Sequence, residues 1–202
     1  MNKDFFKKIN KFEPKGFFPQ LDVFWKKAEG VYVYDKRNKK YLDFTSTIFV
    51  SNIGHSNSTL IKYLKSALNS KIIHSYNFPN PFREKYVEKL LKFYGKKNKK
   101  VFLLSGGSET LECAIKLMRL YGQKINKEKN GIITLEGNWH GRTMGSQLLS
   151  SDEMGKKWIG FKDPNVHHLS FPYPWEVNEK NGEYFFNKSL KKLNINFKKK
   201  IT

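Results

Sequence analysis

A turn rich in glycine and serine, Ser105-Gly106-Gly107-Ser108, follows a short apolar run and precedes a helical pattern. Glycines at such a junction let backbone N–H groups approach a ligand closely, and a helix N-terminus adds unsatisfied donors and a positive dipole end. The Ser108 hydroxyl can donate one further hydrogen bond. These residues predict a small phosphate-binding turn, and they fit equally a tight turn that binds nothing. The longer glycine patterns of dinucleotide and nucleoside triphosphate sites are absent.

A second candidate site is the stretch Trp139-His140-Gly141-Arg142, which comes directly after a predicted strand. Ligands of open α/β sheets bind at this end of the strands. An indole can stack on a heteroaromatic ring, and a guanidinium can hold a carboxylate with two hydrogen bonds. The structural alternative is that Trp139 packs in the core and Arg142 forms a surface ion pair.

Histidine and cysteine do not form a metal-binding pattern in this sequence. His55 stands alone after Gly54, and the adjacent His167 and His168 would point to opposite faces of a strand. The single cysteine, Cys113, builds neither a thiolate site nor an intrachain disulfide, which fits a reducing cytoplasm. We therefore predict no metal site. The serine-nucleophile pattern G-x-S-x-G is also absent.

The composition describes a folded chain with a strong positive charge. Of the 202 residues, 39% are apolar and 15% are aromatic, too many for a disordered chain. No apolar run approaches the ~20 residues of a membrane span, and the first residues lack the apolar stretch of a secretory signal. The net charge of +20 comes from 38 basic residues, of which four are arginine. Such an excess can indicate a nucleic-acid partner, but scattered lysines favour solvated surface positions.

Hydrophobic periodicity and breaker residues predict the elements of the first part of the chain. Residues 1–25 are predicted to be irregular, and two β-rich runs around a polar turn predict a hairpin over residues 30–44. A helix is predicted from about Thr59 with Ser58 as its N-cap. A second helix is predicted from Asn80-Pro81, an N-cap followed by proline at the first helical position.

The second part of the chain alternates between strand and helix patterns. Residues 101–104 form a short apolar run that predicts a strand buried on both faces, and the glycine turn then leads into a helix and a strand at Ile132–Leu135. Strand, turn, helix and strand in this order are typical of an α/β domain with a mostly parallel sheet. Beyond Ser150 the sequence predicts loops, a helix near residues 183–193 and, at 197–202, the approach to another strand.

Together, four stretches resemble the N-terminal half of the class III aminotransferases, enzymes of the ω-amino-acid and 4-aminobutyrate type that depend on pyridoxal 5′-phosphate. The similarity covers roughly residues 20–202, and the stretches occur in the order found in that family. They are the 30–44 hairpin with Tyr41-Leu42-Asp43-Phe44, then Asn52-Ile53-Gly54-His55, then Ser105-Gly106-Gly107-Ser108-Glu109-Thr110-Leu111-Glu112, and finally Trp139-His140-Gly141-Arg142-Thr143.

The resemblance implies a role for each candidate cofactor-binding residue. Gly107 and Ser108 match the positions that bind the phosphate of pyridoxal 5′-phosphate. Trp139 matches the aromatic residue stacked on the pyridine ring, where the family more often has phenylalanine or tyrosine, and His140 lies beside it.

The resemblance also implies substrate-binding residues, and it shows one large departure from the family. Arg142 matches a residue that binds substrate carboxylate in 4-aminobutyrate enzymes, and Ile48 matches a residue of the substrate pocket. Family members are roughly twice as long as this chain. Their later half carries the aspartate that pairs with the pyridine nitrogen and the lysine that bears the cofactor. Neither motif occurs here, so we assign no catalytic residue.

The resemblance therefore implies a fold-type I α/β transferase. A small N-terminal α+β segment is expected over residues 1–75, and the first part of a large cofactor-binding domain with a mostly parallel sheet over 76–202. We expect a truncated, by itself inactive part of an enzyme that moves an amino group from an amino acid or ω-amine to a 2-oxo acid. The alternatives are an aminomutase, decarboxylase or phospho-lyase on the same scaffold and, with less support, a basic nucleic-acid-binding module. A cytoplasmic homodimer without membrane association is also implied.

Overall fold

The structure is a computed structural model that describes residues 7–8, 11–13, 21, 23–95, 100–193 and 197–201. The chain forms two compact units, Met1–Asn98 and Lys99–Thr202. The division into 1–75 and 76–202 concerns the domains of a complete enzyme and stays a prediction. Within the described ranges, no helix is both long enough and apolar enough to cross a bilayer.

The first unit contains a three-stranded antiparallel sheet. Its strands are β1 (Trp25–Glu29), β2 (Tyr32–Asp35) and β3 (Lys40–Leu42), in the order β1-β2-β3. Strands β2 and β3 confirm the predicted hairpin. Strand β1 was not predicted, because its sequence WKKAE has no alternation of apolar and polar residues and four of its five residues are exposed. Pairing with β2, which buries Val33, makes this segment a strand.

Two helices follow in the first unit, α1 (Ser58–Asn69) and α2 (Pro81–Phe93). The cap predicted for α2 is confirmed, since the Asn80 side chain accepts hydrogen bonds from two backbone N–H groups of the first turn. The cap predicted for α1 is wrong by one residue. Asn57, and not Ser58, accepts the N–H of Leu60 at 3.1 Å, because the helix begins at Ser58 and Asn57 therefore occupies the N-cap position.

The second unit is built around two parallel strands, β4 (Ile132–Leu135) and β5 (Val166–Leu169), with Ile132 opposite Val166. Its helices are α3 (Gly107–Ile125), α4 (Met144–Leu148), α5 (Gly182–Leu193) and α6 (Phe197–Lys200), with a 3-10 turn at Lys157–Ile159. Ile132, Leu149 and Ile159 are its buried apolar residues among those described. The predicted helix α3, strand β4 and helix α5 are confirmed. Strand β5 was not predicted.

The run of residues 101–104, predicted to be a buried strand, is not one in the structure. It has no strand partner among the described residues, and the Phe102 side chain is 66% exposed. An apolar run becomes a strand only when another strand takes up its backbone hydrogen bonds.

At 197–202 the sequence predicts the approach to another strand, whereas the last described residues form a short helix and a single bridge beside β4. After α6, Ile201 forms a parallel bridge with Gly131, and the Gly131 N–H donates to the Lys200 carbonyl at 2.8 Å. The next N–H, that of Ile132, donates to Asn165 on the β5 side. Successive N–H groups of a strand point to opposite edges, so this contact lies on the edge of β4 away from β5.

Two of the sequence motifs meet in the first unit through one hydrogen bond between side chains. His55 Nε2 lies 2.7 Å from Asp43 Oδ2, and both side chains are largely shielded from solvent. Backbone bonds between His55 and Gly30 hold the same segment against the sheet. The hydrogen bond from His55, followed by that from the Thr45 hydroxyl, lowers the pKa of Asp43 from 3.8 to about 2.

This lowered pKa predicts how the first unit responds to acid. Because the folded state holds the Asp43 proton more weakly than the unfolded state, the stabilisation is fully present above about pH 4 and is lost as the pH falls toward 2. In Asp43→Asn we expect a lower melting temperature at pH 7 and a shallower loss between pH 4 and 2. Melting curves by circular dichroism across this range measure both.

Glu29→Gln is the control for that experiment, since Glu29 forms an exposed ion pair with Lys27. Exposed pairs contribute little, so its melting curves should follow the wild type. Equal acid profiles for Asp43→Asn and the wild type would show that the His55 pair does not stabilise the fold.

Candidate active site

The N-terminus of α3 carries the predicted phosphate-binding turn. Gly107 and Ser108 are the first two residues of this helix, and the N-cap Gly106 has no side chain with which to cap it. The first N–H groups of a helix have no partner within the helix. These donors, together with the helix dipole, favour an anion at this position. We call Gly107 and Ser108 the cradle.

The space beside the two glycines of the turn is open. A Cβ atom built on Gly106 or on Gly107 meets no other atom within 4 Å. The carboxylate of Glu109 turns back to accept the N–H of Ser105 at 3.0 Å, which fixes the residue that enters the turn. The helix therefore presents open backbone donors and one hydroxyl, and its binding of a phosphate stays a prediction.

The stretch after β4 lies beside the cradle. We call residues 139–143 the arginine turn. The backbone N–H of Arg142 donates to Ser108 Oγ at 3.4 Å, and Gly141 is buried against the same hydroxyl. The structure thus brings together two stretches that are 34 residues apart in sequence.

Trp139 is a surface side chain and not part of the core. It is 60% exposed, and the Arg142 guanidinium lies over its ring, 5.4 Å from the centroid. The structural alternative for Trp139, core packing, is therefore wrong. An exposed indole next to a guanidinium can stack on a flat ring whose substituent carries a carboxylate.

His140 is held by two side chains of the β4 end. Its Nε2 lies 2.9 Å from Thr134 Oγ1, and Asn138 Nδ2 donates to the same hydroxyl. When Thr134 Oγ1 accepts from Asn138 and donates its own hydrogen to His140 Nε2, that ring nitrogen is an acceptor. The neutral ring of His140 then carries its proton on Nδ1. Burial, followed by the charge of His168, lowers the pKa of His140. The lowered pKa favours a neutral ring at this position of the arginine turn.

Glu112 is the last residue of the third sequence motif, and the motif alone predicts no role for it. In the structure its carboxylate accepts hydrogen bonds from the Thr143 hydroxyl at 2.6 Å and from the Ser146 N–H at 2.9 Å. A signal was present, because Glu112 follows Ser108 by four residues and so lies on the same face of α3.

Ile48, the predicted substrate-pocket residue, belongs to the first unit. It lies in a left-handed turn in which four consecutive residues, 46–49, have φ between 44° and 68°. This conformation costs non-glycine residues about 1–2 kcal/mol each. The Ile48 side chain is 80% exposed. Its role at a substrate stays a prediction.

Comparison with known proteins identifies the family. The profile described as "Aminotransferase class-III" matches residues 17–202, nearly the whole chain. The chain belongs to the class III aminotransferases. The family resemblance seen in the four sequence stretches is thereby confirmed, and pyridoxal 5′-phosphate is the cofactor of this family.

Relatives of this class III chain include an acetylornithine aminotransferase and an ornithine aminotransferase. It is 38% identical over 155 residues to an acetylornithine aminotransferase of Aquifex aeolicus, which covers 76% of this chain and 40% of the relative. It is 35% identical over 161 residues to an ornithine aminotransferase of Saccharomyces cerevisiae, covering 78% and 37%. The chain thus spans about two fifths of the length of these relatives.

Solved structures confirm the fold class. The taurine:2-oxoglutarate aminotransferase of Bifidobacterium kashiwanohense, in complex with PLP and glutamate, superposes with a TM-score of 0.79 at 20% identity, covering 95% of this chain and 44% of that one. An ω-aminotransferase of Paracoccus denitrificans gives 0.78 at 22% identity, covering 93% and 44%. The predicted α/β, fold-type I architecture is therefore confirmed for this class III chain.

Proposed function

We propose that this chain is the cofactor-binding part of an aminotransferase that moves an amino group from an amino acid or ω-amine to a 2-oxo acid. One observation carries the proposal: the open N-terminus of α3 lies against the turn that exposes Trp139, through the contact of Ser108 with Arg142. A phosphate donor set and a stacking surface in one place match the two ends of pyridoxal 5′-phosphate.

Each residue has a distinct task in this proposal. The cradle binds the phosphate through backbone N–H groups and the Ser108 hydroxyl, while Trp139 stacks on the ring and excludes water from that face. His140, neutral and fixed by Thr134, supports the turn, and Arg142 binds the substrate carboxylate. When bound, the cofactor supplies the electron sink that amino-group transfer needs. Ile48 is proposed to line the substrate pocket.

The activity is tested on the protein expressed from its complete reading frame. Ornithine, N-acetylornithine, taurine and simple ω-amines are offered as donors, because proteins acting on such compounds are among the relatives and neighbours. Pyruvate and 2-oxoglutarate are the acceptors. We expect a new amino acid, alanine or glutamate, to appear with at least one donor. Release of carbon dioxide or phosphate, or an isomerised donor without a new amino acid, would instead assign one of the other reactions of this scaffold.

Binding is tested on the chain itself with pyridoxamine 5′-phosphate. This ligand keeps the phosphate and the ring but lacks the aldehyde, which would react with any of the 34 lysines. Binding is measured by calorimetry at 0.15 M salt, where exposed charges are screened beyond about 8 Å. Pyridoxamine without the phosphate, and inorganic phosphate alone, show whether both ends of the ligand contribute.

Gly107→Ala is expected to change fold stability and ligand affinity in opposite directions. Alanine in the first turn of α3 restricts the unfolded chain and stabilises the fold by about 0.4–1 kcal/mol. Its Cβ stands in the open space of the cradle, so the affinity for pyridoxamine 5′-phosphate should fall roughly tenfold, about 1.4 kcal/mol. Melting temperature and calorimetry are measured on the same sample.

Gly182→Ala is the matched control for Gly107→Ala, since Gly182 is also the first residue of a helix in the second unit and has room for a Cβ. It should stabilise the fold to a similar degree and leave the affinity unchanged. Wild-type affinity in Gly107→Ala would remove this residue from the phosphate site.

The proposal also covers the localisation and the oligomeric state of the protein. We propose a cytoplasmic protein, supported by its lone cysteine, and a homodimer, supported by the family resemblance. Analytical ultracentrifugation of the protein with pyridoxamine 5′-phosphate tests the second, and a monomer at micromolar concentration would contradict it.

A further inference from the structure

One oxygen atom of Glu112 connects α3 to the arginine turn and to α4, the two segments that follow β4. Glu112 Oε1 accepts the hydroxyl of Thr143, the last residue of the arginine turn, and the N–H of Ser146 in the first turn of α4. Ser146 is completely buried. Since Ser108 contacts the turn one helical turn earlier, the arginine turn is fixed against α3 at two points.

The residues around the Glu112 carboxylate leave it both a hydrogen-bond donor to accept and the space to reach it. Thr143 is the N-cap of α4 but makes no capping bond to its own helix, because its hydroxyl faces Glu112 and Ser146. The Glu112 carboxylate supplies the cap instead. A Cβ on Gly145 would come closer than 3.0 Å to that carboxylate, so glycine leaves the space it occupies.

We propose that Glu112 is a positioning residue for the cofactor. It contacts no ligand; it fixes the distance between the cradle on α3 and Trp139 on the arginine turn. A ligand with a phosphate and a ring gains affinity only when both groups are held at that distance before binding. This inference rests on the proposed function.

We expect loss of Glu112 to weaken the binding of a ligand that has both a phosphate and a ring more than the binding of phosphate alone. In Glu112→Ala, the affinity for pyridoxamine 5′-phosphate should fall roughly tenfold, while the affinity for inorganic phosphate changes little, because α3 still presents the cradle. A role in folding alone would lower both affinities together. Calorimetry with the two ligands on one variant separates these outcomes.

Two further variants test whether Glu112 changes the affinity through its two hydrogen bonds and through the position of Trp139. Glu112→Gln should restore the affinity, because both bonds end on one oxygen and an amide oxygen can accept them. In a Trp139→Ala background, Glu112→Ala should cost no further affinity, because the ring contact it supports is already gone. Additive losses in the double variant would overturn the proposal.

Asp163→Asn is the control for general destabilisation. It breaks the ion pair by which Arg119 ties the same helix, α3, to the segment before β5, so it should lower the melting temperature without changing the ratio of the two affinities. If Glu112→Ala does not fold, Thr143→Val replaces it, since Thr143 is exposed and only one of the two bonds is removed. An unchanged ratio in that variant contradicts the proposal. Absence of pyridoxamine 5′-phosphate binding in the wild type contradicts the proposed function itself.

Discussion

Replacing Gly141 with alanine is expected to destroy the candidate site and to destabilise the second unit. Gly141 has a φ of 136°, and its new Cβ would lie closer than 3.0 Å to the hydroxyls of Ser108 and Ser146. Ser146 is fully buried, and its hydroxyl donates to the Thr143 carbonyl at 3.1 Å. Backbone strain and overpacking together should cost about 2–4 kcal/mol. Thermal unfolding followed by circular dichroism measures this loss.

The same substitution should weaken binding of pyridoxamine 5′-phosphate on the order of a hundredfold, about 2.8 kcal/mol. The clash displaces the Ser108 hydroxyl and pushes the arginine turn away from α3, so both ends of the ligand lose their contacts. Calorimetry below the melting temperature of the variant gives the affinity.

Gly160→Ala is a control that separates the cost of backbone strain from the cost of the steric clash. Gly160 also has a positive φ, 77°, but a Cβ there meets nothing within 4 Å. This control should lose about 1 kcal/mol of stability and keep the wild-type affinity. If Gly141→Ala behaves in the same way, the tight contact between the arginine turn and Ser108 does not exist in solution.

Replacing Trp139 with alanine is expected to remove ring binding while leaving the fold intact. The side chain is 60% exposed, so its loss should barely change the melting temperature. Stacking of an aromatic side chain on a heteroaromatic ring is worth about 1–3 kcal/mol, which corresponds to roughly a 5- to 150-fold loss of affinity for pyridoxamine 5′-phosphate. Inorganic phosphate should bind Trp139→Ala as well as it binds the wild type.

Trp139→Phe is the matched variant, because it keeps a flat ring of the kind more common in the family. It should retain most of the affinity that Trp139→Ala loses. Trp158→Ala is the second control, since Trp158 is similarly exposed at 57% but lies outside the site. An affinity loss in Trp158→Ala equal to that in Trp139→Ala would mean that the ligand does not stack at the arginine turn.

The helices and their caps were largely predictable from sequence. The start of α3 after the glycine turn and the cap at Asn80 agree with the structure because helical hydrogen bonds join residues four apart. Helix α3 continues through Gly122, which by its residue type would end a helix, to Ile125. Strands were predicted less well. The VHHL segment of β5 has no recognisable pattern of its own, and it is a strand because Ile132–Leu135 lies beside it in register. Residues 101–104 have the pattern but no strand partner among the described residues.

For the site, the sequence by itself determined the residue types proposed to bind the cofactor: the glycine-serine cradle, and the aromatic and basic residues 31 to 34 positions later. Order and spacing of the motifs also identified the family, since these are properties of the chain alone. Only the tertiary structure decided that the Arg142 N–H reaches the Ser108 hydroxyl, that Trp139 is exposed, and that Glu112 caps α4. These contacts cross 34 residues of chain, and a distance between two such segments is set by the packing of helix against strand, which no local pattern encodes.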